Sequence, residues 1–171
     1  MATRTGARGA GSTARPLPAP RRAWRGLGLR QGEAFGLALE DIDFAKEVVH
    51  VRRQVKMVGT KLCFALPKGR KVRDVPLPSS VARAIRQHIE LFAPVPVTLP
   101  WDDPHPAETP VEAKHRRPRT YNLLVTRHDC KAINRNYFNT HVWKPALAAA
   151  GVIAPLEGGQ RQRYSCVGAV P

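Results

Sequence analysis

Residues 47–77 read EVVHVRRQVKMVGTKLCFALPKGRKVRDVPL, and the alternation of apolar and polar side chains in this stretch decides the fold class. Its first ten residues place valines on one face of an extended chain and polar side chains on the other, which is typical of a half-buried strand. The polar face carries two cations, Arg52 and Lys56. The alternation resumes after a turn at Gly59 and Thr60, and again after the segment PKGRK. The sequence therefore predicts a three-stranded antiparallel sheet.

The turn between the second and third predicted strands is strongly basic. It carries Lys68, Arg70 and Lys71 at its tip, and Arg73 follows at the start of the third strand. Such a turn is either a phosphate-binding element or a solvated surface loop. The residues of the turn alone leave both interpretations open.

Helical patterns flank the predicted sheet. Apolar residues at helical spacing predict a short helix over 31–39. A second helix is predicted after Pro78, with Ser79 or Ser80 as its cap. Its apolar stripe, in which the histidine is expected to pack in the core, comprises Val81, Ile85, His88, Ile89 and Phe92.

The remaining part of the chain alternates between loop and helix signals. The Pro-rich stretch 93–120 predicts a long surface loop, and the apolar run NLLVT that begins at Asn122 predicts a short extended piece. A last helix is predicted from a cap at Asn134 or Asn136 to Gly151. Pro145 interrupts that helix, so we expect a kink or two abutting helices there.

These elements predict an α+β fold: a mostly helical fragment with one three-stranded antiparallel sheet. A length of 171 residues fits a single domain, which we place at residues 26–153. Residues 1–25 are expected to form a disordered basic leader, because they are rich in Gly, Pro, Ala and Arg and offer few apolar groups to bury. A basic arm that touches DNA is the alternative for this leader. Residues 154–171 show no usable periodicity and are expected to be an irregular tail.

The net charge points to a polyanionic partner. Lys and Arg number 28 against 13 acidic residues, which gives +15 and a pI near 10.9. Residues 1–30 hold seven Arg and no acid, whereas residues 31–154 hold 19 basic and 12 acidic residues. Nucleic acid is therefore the first partner to consider, although charge alone does not choose among anions.

Cysteine usage and hydropathy indicate an intracellular protein. Cys63, Cys130 and Cys166 are odd in number and widely spaced, so we expect reduced thiols. His128 and Cys130 lack the partners that a zinc site needs, and no metal is expected. No apolar run approaches the roughly 20 residues of a membrane helix, so a cytoplasmic location without membrane partners is expected.

Three local patterns, in this order, resemble the catalytic domain of the tyrosine-recombinase, or phage-integrase, family. Residues 28–33 read GLRQGE and are followed by EDIDF, similar to the family's first-arginine box. Residues 66–78 read LPKGRKVRDVPLP, similar to its catalytic-lysine hairpin. Residues 134–151 resemble the helix that precedes its His-x-x-Arg box. Together the patterns cover roughly residues 26–153, which is the N-terminal part of such a domain.

The resemblance implies transesterification at a DNA phosphate without metal or other cofactor: a tyrosine attacks, a 3'-phosphotyrosine forms and a 5'-hydroxyl leaves. Fixed cations must then neutralise the pentacoordinate transition state. It implies that Arg30 clamps the phosphate and that Lys68, in preference to Lys71, protonates the leaving oxygen. Glu33 would support Arg30, with a plain surface glutamate as the alternative. The residues implied to contact DNA phosphates are Arg52, Lys56, Arg70, Lys71 and Arg73.

The sequence also departs from the family pattern. Past the last predicted helix, the family has its His-x-x-Arg box and its nucleophilic tyrosine, and neither is found there. His141 lies within that helix and is followed by Val-Trp-Lys, and Tyr164 lies too early and lacks the flanking residues. The stretch RPLPAPRRAWRG also replaces the helix expected before the first-arginine box. The chain is therefore expected to be a truncated or frame-disrupted recombinase of a phage or mobile element, inactive alone. Its expected partners are double-stranded DNA and other recombinase subunits, without a small-molecule substrate. A non-enzymatic basic DNA- or RNA-binding accessory protein is the alternative.

Overall fold

The structure is a computed structural model that describes residues 26–103 and 105–154. The predicted leader 1–25 and the predicted tail, apart from Ala154, lie outside the described residues. The predicted α+β class is confirmed: helices surround small antiparallel sheets. Helical residues outnumber strand residues in the described part. None of its helices has the length and apolar character needed to cross a membrane.

The stretch 47–57, which was predicted as one strand, forms two strands that belong to different sheets. β1 (Ile42–Asp43), β2 (Val48–Val51) and β5 (Arg73–Pro76) form one antiparallel sheet in the order β1-β2-β5. β3 (Gln54–Val58) pairs instead with β4 (Lys61–Ala65) in a separate two-stranded sheet. A three-stranded sheet is therefore present, but the prediction that it joins the strands of 47–57, 62–66 and 73–77 was wrong.

Arg53 accounts for the division of the sheet. Continuing the alternation of Val49, Val51 and Val55 places Arg53 on the buried face, and its residue surface is only 5% exposed. A buried guanidinium requires a charged or hydrogen-bonding partner. Its partner is Asp41, so the backbone leaves the regular ladder between β2 and β3 where the two side chains meet.

Helix α1 (Gln31–Phe35) is shorter than the predicted helix 31–39, and a 3₁₀ turn at Leu39–Asp41 follows it. The helix lies against the start of β3 at unusually short range. A Cβ added to Gly32 would be 3.0 Å from the carbonyl oxygen of Val55, and one added to Gly36 would be 3.0 Å from the backbone of Gln54. These two glycines therefore allow close approach of the two backbones.

Helix α2 (Ser79–Leu91) presents the predicted apolar stripe to the core. The predicted serine cap was wrong: Pro78 is the N-cap, Ser79 begins the helix, and no side chain caps it. Proline's fixed φ makes it suitable at a helix start. The prediction of a core histidine is confirmed, since His88 is buried and its Nε2 lies 2.8 Å from the carbonyl oxygen of Leu124.

The prediction that residues 93–120 form a long loop was wrong. This stretch contains β6 (Val95–Leu99) and α3 (Pro110–His115), and β7 (Arg119–Leu123) begins within it. β6 and β7 pair antiparallel in a sheet of their own. Pro96 is compatible with β6 because a strand with one neighbour tolerates a residue without an N–H. The expected extended piece at 122–126 overlaps the end of β7.

The last helical stretch is divided into abutting segments, one of the two outcomes that its proline predicts. α4 (Arg135–Phe138) continues through a π-helical turn (Asn139–Trp143) into α5 (Lys144–Ala149), with Pro145 in the first turn of α5. The cap at Asn134 is confirmed: its side chain accepts a 2.7 Å hydrogen bond from the backbone N–H of Tyr137. Gly151 ends the helix with φ +70°, as predicted.

The core lies between α1, α2 and the three sheets. Its largest fully buried apolar side chains include Phe64, Ile85, Leu123 and Val49. The site described below therefore lies on elements that share one core.

Candidate nucleic-acid interface

Arg30 caps the N-terminus of α1 and presents its side chain to solvent. The side chain is 58% exposed, and its Nη1 donates a hydrogen bond of 3.2 Å to the carboxylate of Glu33. The backbone N–H of Arg30 donates to the other oxygen of that carboxylate at 2.9 Å. Glu33 therefore fixes the start of α1 while the Arg30 guanidinium stays largely accessible.

Glu33 is a buried acid rather than a surface glutamate. Its side chain has no exposed surface, and Arg73 on β5 holds it from the opposite side with both ends of the guanidinium. The Nη1 and Nη2 of Arg73 donate to the two carboxylate oxygens at 3.0 and 2.7 Å. This is the bidentate arrangement that gives Arg–carboxylate pairs their strength and directionality.

The protonation states of this cluster follow from its geometry. Burial by itself raises the pKa of Glu33, but hydrogen bonds from Arg73 and from the backbone and side chain of Arg30 outweigh burial, so the pKa lies below its ordinary value. The pKa of Arg73 is raised because Glu33 accepts its hydrogen bonds. Two arginines thus share one carboxylate, which leaves the cluster with a net positive charge.

The predicted basic turn is a tight turn over Pro67–Arg70. The backbone N–H of Arg70 donates to the carbonyl oxygen of Pro67 at 2.8 Å, and Gly69 has φ +81°. A positive φ at the third position is what a type II turn requires, and glycine adopts it without strain. Lys68 occupies the second position and is exposed, with no hydrogen bond or ion pair to any described residue.

Both ends of the turn are joined to the region of α1. At the near end, the side-chain amide of Gln54 donates a 2.7 Å hydrogen bond to the carbonyl oxygen of Leu66, and Gln54 itself lies against Gly32. At the far end, Arg73 binds Glu33. The basic turn is therefore attached at both ends to the segment that carries Arg30.

The other predicted contact residues are exposed at the surface of the described part. Arg52 and Lys71 are exposed and have no partner among the described residues. The Nζ of Lys56 donates to the backbone carbonyl of Asp102 at 3.3 Å. Arg70, with φ +57°, lies 3.8 Å from the carboxylate of the same Asp102. All four cations are accessible to a polyanion, and their roles stay predictions.

Comparisons with known proteins agree with the resemblance in the sequence. No family model matches the chain. A "Tyrosine recombinase XerC-like" protein of Caldanaerobacter subterraneus subsp. tengcongensis is 38% identical over 73 residues, which cover 37% of this chain and 19% of that relative. Over those 73 residues the chain is similar to a tyrosine recombinase. It matches about a fifth of the length of that curated relative.

Solved structures of a transposon integrase also show partial similarity. The Tn1549 transposon integrase in complex with circular intermediate DNA has a TM-score of 0.49 at 21% identity, covering 74% of this chain and 37% of the integrase chain. The Y379F form of that integrase with transposon right-end DNA has a TM-score of 0.47 at 19% identity, covering 73% and 39%. Both TM-scores lie below 0.5, so the likeness is partial.

Two tyrosines of the described residues have defined contacts. Tyr121 lies edge-on to Phe64, with ring centroids 5.1 Å apart, and the guanidinium of Arg53 stacks on it at 3.5 Å. The hydroxyl of Tyr137 lies 3.1 Å from Nδ1 of His128. Tyr164 lies outside the described residues.

Sequence reasoning missed the second buried ion pair. Arg53 donates to both oxygens of Asp41 at 2.6 and 2.9 Å and to the carbonyl oxygen of Gly36 at 3.2 Å. Asp41 also accepts a 2.9 Å hydrogen bond from the backbone N–H of Ala38. Arg53 occupies a position that the alternating pattern places on the buried face with Val51 and Val55, and this position was the signal that could have indicated a buried partner.

Proposed function

We propose that this chain binds double-stranded DNA through its phosphates, as part of a tyrosine-recombinase type of recombination or integration. The observation that carries the proposal is the exposed guanidinium of Arg30, hydrogen-bonded to the buried Glu33, which Arg73 at the end of the basic segment of Lys68 also binds. A fixed, permanently charged fork of this kind suits a phosphodiester, because it can bond two oxygens at once. The chain would accordingly associate with nucleoid DNA.

In the reaction that the resemblance implies, Arg30 stabilises the negative charge that develops on the non-bridging oxygens. Lys68 donates the proton that the leaving 5'-oxygen requires. Its position at the tip of an exposed turn supports this role, because the side chain is free to approach a scissile phosphate. Exposed Arg52, Lys56, Arg70 and Lys71 would contact neighbouring phosphates and set the position of the duplex.

We further propose that the 171-residue chain does not cleave DNA by itself. Its sequence offers no His-x-x-Arg box after the last helical stretch, where the family places it, and no tyrosine in the family's flanking pattern. Further recombinase subunits would supply the second arginine, the histidine and the nucleophile. The test is a nicked suicide duplex, which traps a covalent protein–DNA adduct. We expect none, and an adduct formed by the purified chain would overturn the claim of inactivity.

DNA binding itself is tested by fluorescence anisotropy across a salt series. Each phosphate contact contributes about 0.9 to the slope of log affinity against log salt. We expect Arg30→Ala and Lys68→Ala each to lower that slope by about 1. Lys46→Ala is the matched control, because Lys46 precedes β2 at the Val48–Pro76 end of the pairing with β5, opposite to the Val51–Arg73 end. If Lys46→Ala lowers the slope as much as the other two substitutions, binding is a property of net charge and not of this site.

A further inference from the structure

Arg73 and Arg30 compete for a single buried carboxylate. Arg73 holds both oxygens of Glu33, at 2.7 and 3.0 Å, whereas Arg30 reaches one oxygen through one nitrogen at 3.2 Å. Arg73 is also the more buried of the two: its side chain is 34% exposed, whereas that of Arg30 is 58% exposed. The arginine with the stronger bonds to Glu33, Arg73, is therefore also the less exposed of the two.

We propose that Arg73 is a positioning residue: it neutralises Glu33 and so leaves the Arg30 guanidinium free to bind phosphate. The inference rests on the proposed function of Arg30. It assigns to Arg73 a role different from the direct phosphate contact that the sequence suggests, because the fork of Arg73 is already engaged by a carboxylate on its inner side.

A carboxylate without solvent exposure requires a partner for each oxygen. If Arg73 is removed, the nearest available cation is Arg30, whose Nη1 already lies 3.2 Å from Glu33 and whose backbone N–H is bonded to it. A small rotation of the Arg30 side chain would give Glu33 a bidentate partner. That rotation would withdraw the guanidinium from the DNA surface.

A variant set with a rescue separates this role from the alternatives. In Arg73→Ala, Glu33 captures Arg30, so the salt slope of DNA binding falls by about 0.9, as it does in Arg30→Ala. In Arg73→Ala combined with Glu33→Gln, position 33 carries no charge and releases Arg30. We expect the slope of the double variant to return to that of the unmodified chain.

Two results would overturn the proposal. A double variant that stays about 0.9 below the unmodified chain would make Arg73 a direct phosphate contact. An Arg73→Ala variant with the slope of the unmodified chain would leave Arg73 a purely structural role. The slopes are read on folded protein, verified by circular dichroism. If Arg73→Ala does not fold, Arg73→Lys replaces it, because lysine keeps the charge but loses the fork; its slope should lie between those of the unmodified chain and Arg30→Ala.

A second readout does not require DNA. Phenylglyoxal modifies accessible guanidinium groups, and mass spectrometry of peptides gives the modification rate of Arg30 itself. We expect Arg30 to react severalfold more slowly in Arg73→Ala than in the unmodified chain, and to regain its rate when Glu33→Gln is added. An unchanged rate in Arg73→Ala would refute the positioning role. If the unmodified chain does not bind DNA, the proposed function is refuted, whereas the labelling result still tests the position of Arg30.

Discussion

Replacing Arg53 with methionine should destabilise the protein more than any exposed arginine substitution does. Methionine keeps much of the volume of the arginine side chain but removes its charge and its donors. Asp41 would then retain a single described hydrogen bond, the one from the backbone N–H of Ala38. The side chains of Arg53 and Asp41 are only 4% and 2% exposed, so water does not replace the lost partner without a structural change.

The magnitude follows from these contacts. Removing one partner of a buried ion pair costs about 3–5 kcal/mol, because the remaining charge is left uncompensated. The free energy of unfolding of a small domain is about 5–15 kcal/mol, so this loss is a large fraction of the total stability. With a urea dependence of about 2 kcal/mol per molar for a small protein, a loss of about 4 kcal/mol lowers the midpoint by about 2 M.

The assay is urea unfolding followed by tryptophan fluorescence, with Arg52→Met as the matched control. Arg52 is the neighbouring residue, is exposed and has no described partner, so its substitution should change the free energy of unfolding by less than about 0.5 kcal/mol. The variant that combines Asp41→Asn with Arg53→Met should be more stable than Arg53→Met alone, because it buries no charge. The coupling between the two positions should reach about 2 kcal/mol.

The pH dependence gives an independent check. Burial raises the pKa of Asp41 above its ordinary value of 3.8, and Arg53 counteracts the rise only in part. Without Arg53 the pKa of Asp41 rises further, so the folded state of the variant favours the protonated acid. The free energy of unfolding of Arg53→Met is then closest to that of the unmodified chain at acidic pH. The difference grows as pH rises through the raised pKa of Asp41. A deficit below about 1 kcal/mol at neutral pH, or strict additivity in the double variant, would refute the reasoning.

Three further substitutions test other parts of the fold and site. Phe64→Ala removes a ring with no exposed surface that packs on Tyr121, and chemical denaturation should show a loss of about 3–5 kcal/mol; a loss below 2 kcal/mol would mean that the core collapses into the cavity. For Glu33 the lowered pKa means that its charged form stabilises the fold above pH 4.5, so the advantage of the unmodified chain over Glu33→Gln should disappear as pH falls through the lowered pKa, and a pH-independent difference would contradict this. Gly69→Ala places a side chain at φ +81° and should lower stability by about 1 kcal/mol in thermal unfolding, whereas an unchanged midpoint would mean that the turn relaxes.

The elements that the sequence predicted well are those with a strong local signal. Helix α2 has an apolar stripe over 13 residues, and the last helical stretch has a capping asparagine, an interrupting proline and a terminal glycine. The turn of Lys68 is marked by Pro67 and Gly69. In each case the residues that determine the conformation lie next to one another in the chain.

The features that escaped prediction depend on partners distant in sequence. β6 pairs with β7 across a segment that contains α3, and its prolines resemble those of a loop until the partner strand is known. The division between β2 and β3 depends on Asp41, 12 residues before Arg53. The ion pair of Glu33 and Arg73 spans 40 residues. A sequence pattern indicates the face on which a side chain lies, but it does not indicate which distant charged residue binds that side chain.

The placement of Arg30 depends on these distant pairs more than on the helix that follows it. α1 has only five residues, and so short a helix has little stability of its own. Two buried acids fix its surroundings instead: Glu33 is bound by Arg73 on β5, and Asp41, just beyond the helix, is bound by Arg53 before β3. Close backbone packing at Gly32 completes the attachment. Because both ion pairs join the segment of α1 to the strands on either side of the β3–β4 hairpin, the geometry that presents Arg30 is set by the sheets, and substitutions at Arg53 should disturb DNA binding even though Arg53 itself is buried.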